Sequence, residues 1–319
     1  MAGNKSLGAA KRAKEDEFYT QLSDIEKELR FYKQHFESKT VLCNCDDPRV
    51  SNFWKYFTLN FEALGLKRVI ATCYKSNTPD LFSMHQCEQA VYQIYEGDKN
   101  GNRRVDPEEI DVLPLHGDGD FRSNECIELL KQADIVCTNP PFSLFREYLA
   151  QLIKYEKKFL IIGNQNAIHY KEVFPLIKAN KLWIGISLGA KEYLKPDGST
   201  IKMGNTIWYT NLEHFRRHEE LVLYKRFNPS DYLHYDNFKG IDVPEISEIP
   251  CDYDGIMGVP DTILAQLNPN QFEIVGLGSG NLAKEVGVEK NYRGRTDLAY
   301  TTKEGIHKCP YSRILIRRK

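Results

Sequence analysis

The sequence lacks the patterns that mark membrane proteins, disulfide-rich secreted proteins and structural zinc sites. No apolar run is long enough to span a bilayer, and the start Met1–Lys5 has no signal-peptide pattern. Its eight cysteines form no CxxC pair, and Cys43 and Cys45 are the one close pair. We therefore expect reduced thiols, a cytoplasmic protein, no membrane partner and no bound metal.

An excess of charge of one sign is also missing, because the net charge is −1 over 319 residues. This balanced net charge does not indicate a nucleic-acid-binding protein, but the charge is unevenly distributed along the chain. Residues 290–319 hold nine Lys or Arg against two acids, and residues 1–14 hold basic residues and no acid. Such ends are either solvated tails or local phosphate-binding surfaces, since phosphate contacts need local rather than global positive charge.

Alternating strand-like and helical patterns predict an α/β fold with a doubly wound, mostly parallel sheet. Strands are predicted at 40–45, 67–74, 133–138 and 158–164, and a further segment ends at 115–121. The runs 181–186 and 206–210 follow without a convincing helix between them, which predicts an antiparallel edge. A β-hairpin insertion is predicted near 88–112.

Prolines interrupt short apolar pieces after Asn211, where the character of the chain changes. The predicted division is therefore a larger domain at 1–210 and a smaller C-terminal lobe at 211–319. The basic end of this lobe suits phosphate contacts, and the residues predicted to make them are Arg313, Arg317 and Arg318.

The most informative motif is Asn-Pro-Pro-Phe at 139–142, which follows a strand-like run and precedes a helical pattern. Two prolines at the carboxyl end of a strand fix a rigid turn, and ligands bind at such turns in open α/β sheets. The Asn139 side chain and nearby main-chain carbonyls accept hydrogen bonds, and Phe142 offers a flat face. The motif suits a planar amino group; an ordinary strand-ending turn is the alternative.

Two other segments partly match the sequence patterns of known ligand-binding loops. Residues 98–109 nearly match a calcium loop, but Arg103 stands where the sharp turn needs glycine, so a β-hairpin explains the segment better. The segment Gly276–Gly280 is similar to a glycine-rich cofactor loop. Too few residues follow it to complete a half-sheet, and a loop in the C-terminal lobe is the preferred interpretation.

Four ordered motifs together resemble those of the DNA adenine-N6 methyltransferases. They are Phe18–Thr20 before the first strand, an acidic turn after it, Asp120-Phe121 after the third strand, and the motif at 139–142. Longer stretches are similar to the EcoRI-type modification methylases, namely residues 16–21, 43–53, 117–123, 138–149, 257–260, 309–311 and 313–316. The resemblance runs from about residue 14 to the end and implies a sheet of the seven-stranded methyltransferase type. It also implies an S-adenosylmethionine-binding catalytic domain at 1–210 and a contribution of the lobe at 211–319, including Arg313, Arg317 and Arg318, to DNA recognition.

The resemblance also implies roles for individual residues. Asn139 and Pro140 would accept hydrogen bonds from the target N6 amino group, and Phe142 would stack on the adenine. The implied catalytic residues are Asn139, Pro140, Pro141 and Phe142. The implied cofactor is S-adenosylmethionine, and the residues expected to bind it are Tyr19, Thr20, Cys45, Asp46, Asp47, Asp118, Asp120 and Phe121.

Three departures separate this chain from the family pattern. The first turn lacks the usual glycine-rich loop, and the second strand ends in Cys73-Tyr74 instead of an acid. Asp46 or Asp47 would then bind the ribose hydroxyls of the cofactor, and the choice between them stays open. The segment between Gly189 and Asn205 is shorter than in the EcoRI-type enzyme, so the target sequence GAATTC is not carried over.

The implied activity is site-specific methyl transfer to N6 of an adenine flipped out of duplex DNA. The expected partners are double-stranded DNA and, in a restriction-modification system, a cognate endonuclease that acts on the same site without direct contact. Three alternatives stay open: methylation of cytosine N4, methylation of a protein glutamine amide, and a catalytically idle DNA-binding module.

Overall fold

The computed structural model describes residues 19–45, 47–73, 90–189, 191–195 and 199–319. The strands are β1 Tyr19–Thr20, β2 Thr40–Cys43, β3 Arg68–Cys73, β4 Val91–Tyr95, β5 Ile110–Pro114, β6 Ile135–Thr138, β7 Lys158–Asn164, β8 Trp183–Ile184, β9 Lys191–Leu194, β10 Thr200–Met203, β11 Thr206–Thr210, β12 Leu233–His234, β13 Ile241–Asp242, β14 Met257–Pro260, β15 Phe272–Leu277, β16 Tyr300–Thr301, β17 His307–Lys308 and β18 Arg313–Arg318. The α-helices are α1 Leu22–Leu29, α2 Asn52–Leu59, α3 Phe61–Leu64, α4 Asn124–Gln132, α5 Phe145–Lys154, α6 Phe174–Lys178 and α7 Gly280–Glu285. Within these ranges, no helix combines the length and apolar character that crossing a membrane requires.

Eight of the described strands form the main sheet, in the order β5–β4–β3–β2–β6–β7–β11–β8. The central strands β3, β2, β6 and β7 are parallel. β4 is antiparallel to β3, and β5 is antiparallel to β4, so β5 runs in the direction of the central strands. β11 is antiparallel to β7. The predicted mixed α/β class and antiparallel edge are confirmed, but the sheet has eight strands because both hairpin strands join it.

The local sequence explains why the central strands and their helices form. β2 and β6 are buried at every position, as expected for continuous apolar runs in a parallel sheet. Helix α2 begins after Ser51, whose hydroxyl accepts from the Trp54 N–H at 3.4 Å. Helix α4 begins after Ser123, whose hydroxyl accepts from the Cys126 N–H at 3.2 Å. These caps satisfy backbone donors where the chain turns from strand to helix.

Aromatic side chains fill the core beneath helix α2. Phe36 and Phe57 meet edge to face with ring centroids 5.2 Å apart, and Phe53 meets Trp208 at 6.0 Å. All four are almost fully buried. The aromatic side chains of helix α2 therefore serve core packing.

The calcium-like segment is the tip of the β4–β5 hairpin. The Asp98 carboxylate accepts the Gly101 N–H at 2.6 Å and the Arg103 N–H at 2.5 Å. The Glu109 carboxylate accepts the Lys99 N–H at 2.8 Å. Backbone donors thus occupy the oxygens that a cation would need, and the hairpin interpretation is confirmed. Tyr95 pairs with Val69 near the start of β3, so the tip lies at the amino edge of the parallel strands.

The described residues between Gly189 and Asn205 pair as a β-hairpin. Strands β9 and β10 pair with each other, and β9 also pairs with β1, where Thr20 lies opposite Tyr193. β10 leads directly into β11, whose first residue Thr206 lies opposite Asn164 at the end of β7. This hairpin therefore lies at the carboxyl edge of the parallel strands.

The described chain divides into two compact units. One comprises residues up to 167 together with 184–212, and the other comprises 168–183 and 213–319. The second unit contains a five-stranded sheet in the order β12–β13–β14–β18–β15. The assignment of catalysis to 1–210 and of DNA recognition to 211–319 stays a prediction.

The glycine-rich segment lies in this second unit, between β15 and the short helix α7. A Cβ on Gly276 would overlap with Val286, and a Cβ on Gly278 would overlap with Leu298. These glycines therefore allow close packing of the turn against its neighbours, as expected for a loop of the C-terminal lobe.

A buried carboxylate ties helix α1 to the segment that follows β8. Glu28 is fully buried and accepts the Tyr32 hydroxyl at 2.8 Å, the Ile186 N–H at 2.8 Å and the Ser187 N–H at 2.6 Å. A Cβ on Gly185 would overlap with this carboxylate, so glycine is needed there.

We expect Glu28→Ala to lower the free energy of unfolding by about 3 kcal/mol, because it leaves several buried donors without an acceptor. Urea unfolding followed by circular dichroism measures the change. The control is Glu26→Ala, an exposed glutamate on the same helix, which should stay within about 0.5 kcal/mol of wild type. Equal losses in the two variants would contradict the structural role of Glu28.

Candidate active site

The strand order places a crevice at the carboxyl ends of β2 and β6. The chain leaves β2 for β3 on one side and later returns to β6 on the other side of β2. Ligands of open α/β sheets bind outside the carboxyl ends of the strands at such a switch point. The turn after β2 starts at Asn44, and the turn after β6 starts at Asn139. The two predicted motifs therefore meet at one edge.

Asn44 joins these two turns through hydrogen bonds. The Thr138 hydroxyl donates to the Asn44 main-chain carbonyl, and the Tyr148 hydroxyl donates to the Asn44 side-chain oxygen. Asn44 is 5% exposed and Tyr148 is 1% exposed. Burial raises the pKa of Tyr148 well above its ordinary value, so its hydroxyl stays protonated and remains a donor.

This arrangement was not predicted, although Asn44 lies in the strand predicted at 40–45. A polar residue directly after a fully buried strand was the available signal. Tyr148 gave no such signal, because its position on helix α5 is typical of a core residue.

The Asn-Pro-Pro-Phe motif forms a compact turn at the end of β6. Asn139 is 7% exposed and Pro140 is buried, whereas Pro141 is partly exposed. A short 3₁₀ turn spans Phe142–Leu144, and the Leu144 N–H donates to the Pro141 carbonyl at 3.0 Å. Phe142 is half-buried and packs against the core. The motif therefore combines an inward-facing amide with a partly accessible ring.

The turn after β2 is built without the glycine that the family pattern supplies. Cys45 adopts φ +80°, a conformation that favours glycine. The Asp47 carboxylate accepts the Arg49 N–H at 2.9 Å, and it pairs with the Arg49 guanidinium at 2.6 Å. Asp47 thus braces the turn. Asp46 lies outside the described residues, as do Phe18 and Tyr74.

Tyr19 and Thr20 lie beside this turn. The Asn52 side-chain N–H, at the start of helix α2, donates to the Thr20 carbonyl at 2.7 Å. Thr20 is 1% exposed, and its hydroxyl has no hydrogen-bond partner among the described residues. A buried hydroxyl without a partner costs free energy unless a ligand satisfies it. Its position fits the predicted cofactor pocket.

The third predicted turn carries Asp118, Asp120 and Phe121. The Asp120 N–H donates to the Asp118 carboxylate at 3.0 Å. Arg122 forms a fork with Asp120, at 2.9 Å from Nε and 2.7 Å from Nη2, and this hydrogen bonding lowers the pKa of Asp120. The Phe121 ring meets the Tyr148 ring edge to face at 5.1 Å. Tyr148 therefore contacts both the turn after β2 and the turn after β5.

Comparison with known proteins identifies the family. The family model described as adenine-specific methyltransferase EcoRI matches residues 6–319. The chain is 47% identical over 337 aligned positions to the type II methyltransferase M.EcoRI of Escherichia coli, covering 100% of this chain and 98% of that protein. It is 37% identical over 286 positions to the type II methyltransferase M.MpnI of Mycoplasma pneumoniae, covering 83% of each. This chain belongs to the EcoRI family of adenine-specific methyltransferases. No solved structure matched significantly.

Membership in the EcoRI family confirms the resemblance and the predicted enzyme class, a site-specific adenine methyltransferase of restriction-modification systems. The family activity also implies a DNA substrate and, as in methyltransferases generally, S-adenosylmethionine as the methyl donor. The roles of the individual site residues are not settled by this membership and stay predictions.

The three arginines of the basic end that were predicted to contact DNA have different surroundings in the structure. The Arg313 side chain is 11% exposed, and its Nε lies 2.9 Å from the Asp242 carboxylate, which also accepts the Tyr235 hydroxyl. Arg318 donates to the Cys251 carbonyl. The Arg317 side chain is 46% exposed and lies 3.9 Å from Glu273. All three therefore have partners within the second unit, and Arg317 has the longest contact and stays half-exposed.

We expect Tyr148→Phe to lower the free energy of unfolding by about 1–3 kcal/mol, because the buried Asn44 oxygen loses its donor. Urea unfolding measures the loss. Tyr155→Phe removes a hydroxyl from the end of the same helix and serves as the control, with a change below about 0.5 kcal/mol. If Tyr148→Phe proves as stable as this control, the Asn44 contact does not hold the two turns together.

Proposed function

We propose that this chain transfers a methyl group from S-adenosylmethionine to N6 of an adenine flipped out of duplex DNA. The observation that carries the proposal is the meeting of Asn139–Phe142 with the turns after β2 and β5 at one switch point. An amide and a ring for the base thus lie at the same edge as a buried hydroxyl and a braced turn for the cofactor. Methyl transfer requires both sites at one edge.

The target base has to leave the duplex, because N6 cannot be reached inside the stack. Flipping costs about a few kcal/mol. Stacking of the extruded adenine on Phe142 would return about 1–3 kcal/mol. The half-buried ring supports this role, since one part is held by the core while another part is accessible.

Two acceptors in the motif would orient the amino group. Its N–H bonds would donate to the Asn139 side-chain oxygen and to the Pro140 main-chain carbonyl. This pulls the nitrogen toward tetrahedral geometry and frees its lone pair for in-line attack. Because these acceptors sit on a proline-fixed turn that Thr138 and Asn44 anchor, little reorganisation is needed during the reaction.

The cofactor supplies an electrophilic methyl on sulfur when bound. The buried Thr20 hydroxyl would form a hydrogen bond with the cofactor, and Cys45 would line the turn beside it. Phe121 would contact the adenosyl part, together with Asp118 and Asp120. Arg49 donors already occupy the acceptor positions of Asp47, so we assign Asp47 to bracing the turn and propose no ribose contact for it.

We further propose a restriction-modification setting, with a cognate endonuclease that acts on the same DNA site without touching this chain. Both relatives are named type II methyltransferases, which supports this setting. Long-read sequencing of DNA from cells that express the chain would report the modified base and its sequence context. N6-methyladenine in one motif supports the proposal, whereas N4-methylcytosine or unmodified DNA would overturn it.

We expect Asn139→Ala to reduce the single-turnover rate of methyl transfer by at least about a hundredfold, with S-adenosylmethionine binding retained. The reason is loss of the amino-group acceptor in the transition state. The control is Asn102→Ala, the same change at the hairpin tip on the opposite edge of the sheet, which should leave the rate unchanged. A rate within about tenfold of wild type, or about 1.4 kcal/mol of barrier, would remove Asn139 from the mechanism.

We expect Phe142→Leu to weaken capture of the flipped base, because leucine fills the core side of the position but has no aromatic face. A 2-aminopurine at the target position reports unstacking by its fluorescence. Phe142→Tyr keeps the ring and should retain both the fluorescence increase and turnover. If the leucine variant matches the tyrosine variant in both measurements, Phe142 is a packing residue only.

A further inference from the structure

The second unit contains a cleft of about 800 Å³ that the function above leaves unexplained. It lies between the turn that starts helix α7 and the loop at 290–297. Lys284, Lys290 and Arg295 line it, as do the acids Glu289 and Asp297. The three basic side chains are exposed.

The cations of the cleft differ from two arginines of the basic end. Within the described residues, no ion pair engages Lys284, Lys290 or Arg295. Arg313 pairs with Asp242, and Arg318 donates to a backbone carbonyl. The cleft therefore offers exposed cations, whereas two of the three arginines of β18 are held by other groups.

The acids cancel part of this charge. The Asp297 carboxylate accepts the Gly280 N–H at 3.0 Å and so also holds the wall of the cleft. Three cations against two acids leave a net charge of +1 among the residues that line the cleft. A local positive excess on a chain of net charge −1 is what phosphate contacts require.

Two buried asparagines hold the walls in place. The Asn291 side-chain oxygen accepts the Arg293 N–H at 2.8 Å and the Arg295 N–H at 3.3 Å. The Asn237 side chain donates to the Glu289 carbonyl at 2.7 Å and to the Asp297 carbonyl at 2.9 Å. The Thr296 hydroxyl donates to the Gly280 carbonyl at 3.0 Å, which joins the two sides. Because the cleft is preformed, ordering of its loops and side chains costs less free energy when a ligand binds.

We infer that this cleft binds the phosphate backbone of duplex DNA through Lys284, Lys290 and Arg295. The inference rests on the proposed function, because that function supplies DNA as the substrate. Three cations that line one open cleft offer several contacts to the successive phosphodiesters of a backbone. The cleft thus replaces Arg313 and Arg318 as the expected phosphate contact of the C-terminal lobe.

The test is the triple variant Lys284→Gln, Lys290→Gln, Arg295→Gln of the full chain. Fluorescence anisotropy with a labelled duplex of mixed sequence gives affinity as a function of salt. Each lost phosphate contact lowers the slope of log K against log salt by about 0.9, so we expect a reduction of about 2.7 and a loss of affinity of about 100-fold at about 0.15 M salt. The thermal midpoint should match wild type, because the three side chains are exposed.

The matched control removes three exposed lysines elsewhere in the same unit, Lys171→Gln, Lys178→Gln and Lys181→Gln, with the same change in net charge. Its slope should stay within about 0.5 of wild type. A cleft variant that loses no more slope than this control overturns the inference. Calorimetry with inorganic phosphate provides a second arm: phosphate binding to wild type but not to the cleft variant, with an unchanged DNA slope, would assign the cleft to a small anion instead.

Methyl transfer by the wild-type chain separates this inference from the proposed function. If wild type transfers no methyl group to DNA that contains adenine, the proposed function itself fails. If wild type methylates DNA and the cleft variant keeps the wild-type salt slope, the cleft inference alone fails.

Discussion

The carboxyl edge of the sheet depends on one buried amide, that of Asn44. Its main-chain carbonyl accepts from Thr138 at the end of β6, and its side-chain oxygen accepts from Tyr148 on helix α5. Buried carbonyls that lose their donors cost free energy, so each contact fixes its partner. Because Tyr148 also packs on Phe121, displacement of Asn44 would disturb all three turns of the candidate site.

The direction of the strands in the main sheet determines which surface elements lie near the candidate site. The β4–β5 hairpin places its tip at the amino edge, since Tyr95 pairs with Val69. The β9–β10 hairpin lies at the carboxyl edge, since β11 starts opposite the end of β7. Elements at the amino edge are separated from Asn139 by the length of the strands. Within the first unit, the β9–β10 hairpin therefore lies at the same edge as Asn139, whereas the tip of the β4–β5 hairpin lies at the opposite edge.

Local patterns in the sequence predicted the features that depend on local physics. A proline-fixed turn after a buried run located Asn139, and alternating patterns predicted the parallel strands and their antiparallel edge. Pairings over long separations could not be predicted this way. The Asn44–Tyr148 bond spans 104 residues, and the Arg313–Asp242 pair spans 71. The sequence showed Arg313 only as a charge, so its burial against Asp242 and Tyr235 was missed. The eighth strand was missed because pairing of β4 with β3 is also a long-range event.

Two turns of the candidate site neutralise the charge of an aspartate in the same way. Each holds an aspartate followed two residues later by an arginine, Asp47 with Arg49 and Asp120 with Arg122. In both pairs the arginine donates its backbone N–H and its guanidinium to the same carboxylate. An unpaired carboxylate would repel DNA approaching this edge, and these pairs neutralise it within the turn. Because Arg122 lowers the pKa of Asp120, that carboxylate stays ionised down to a more acidic pH than an ordinary aspartate. The acidic turns can therefore keep their shape without opposing a polyanionic substrate.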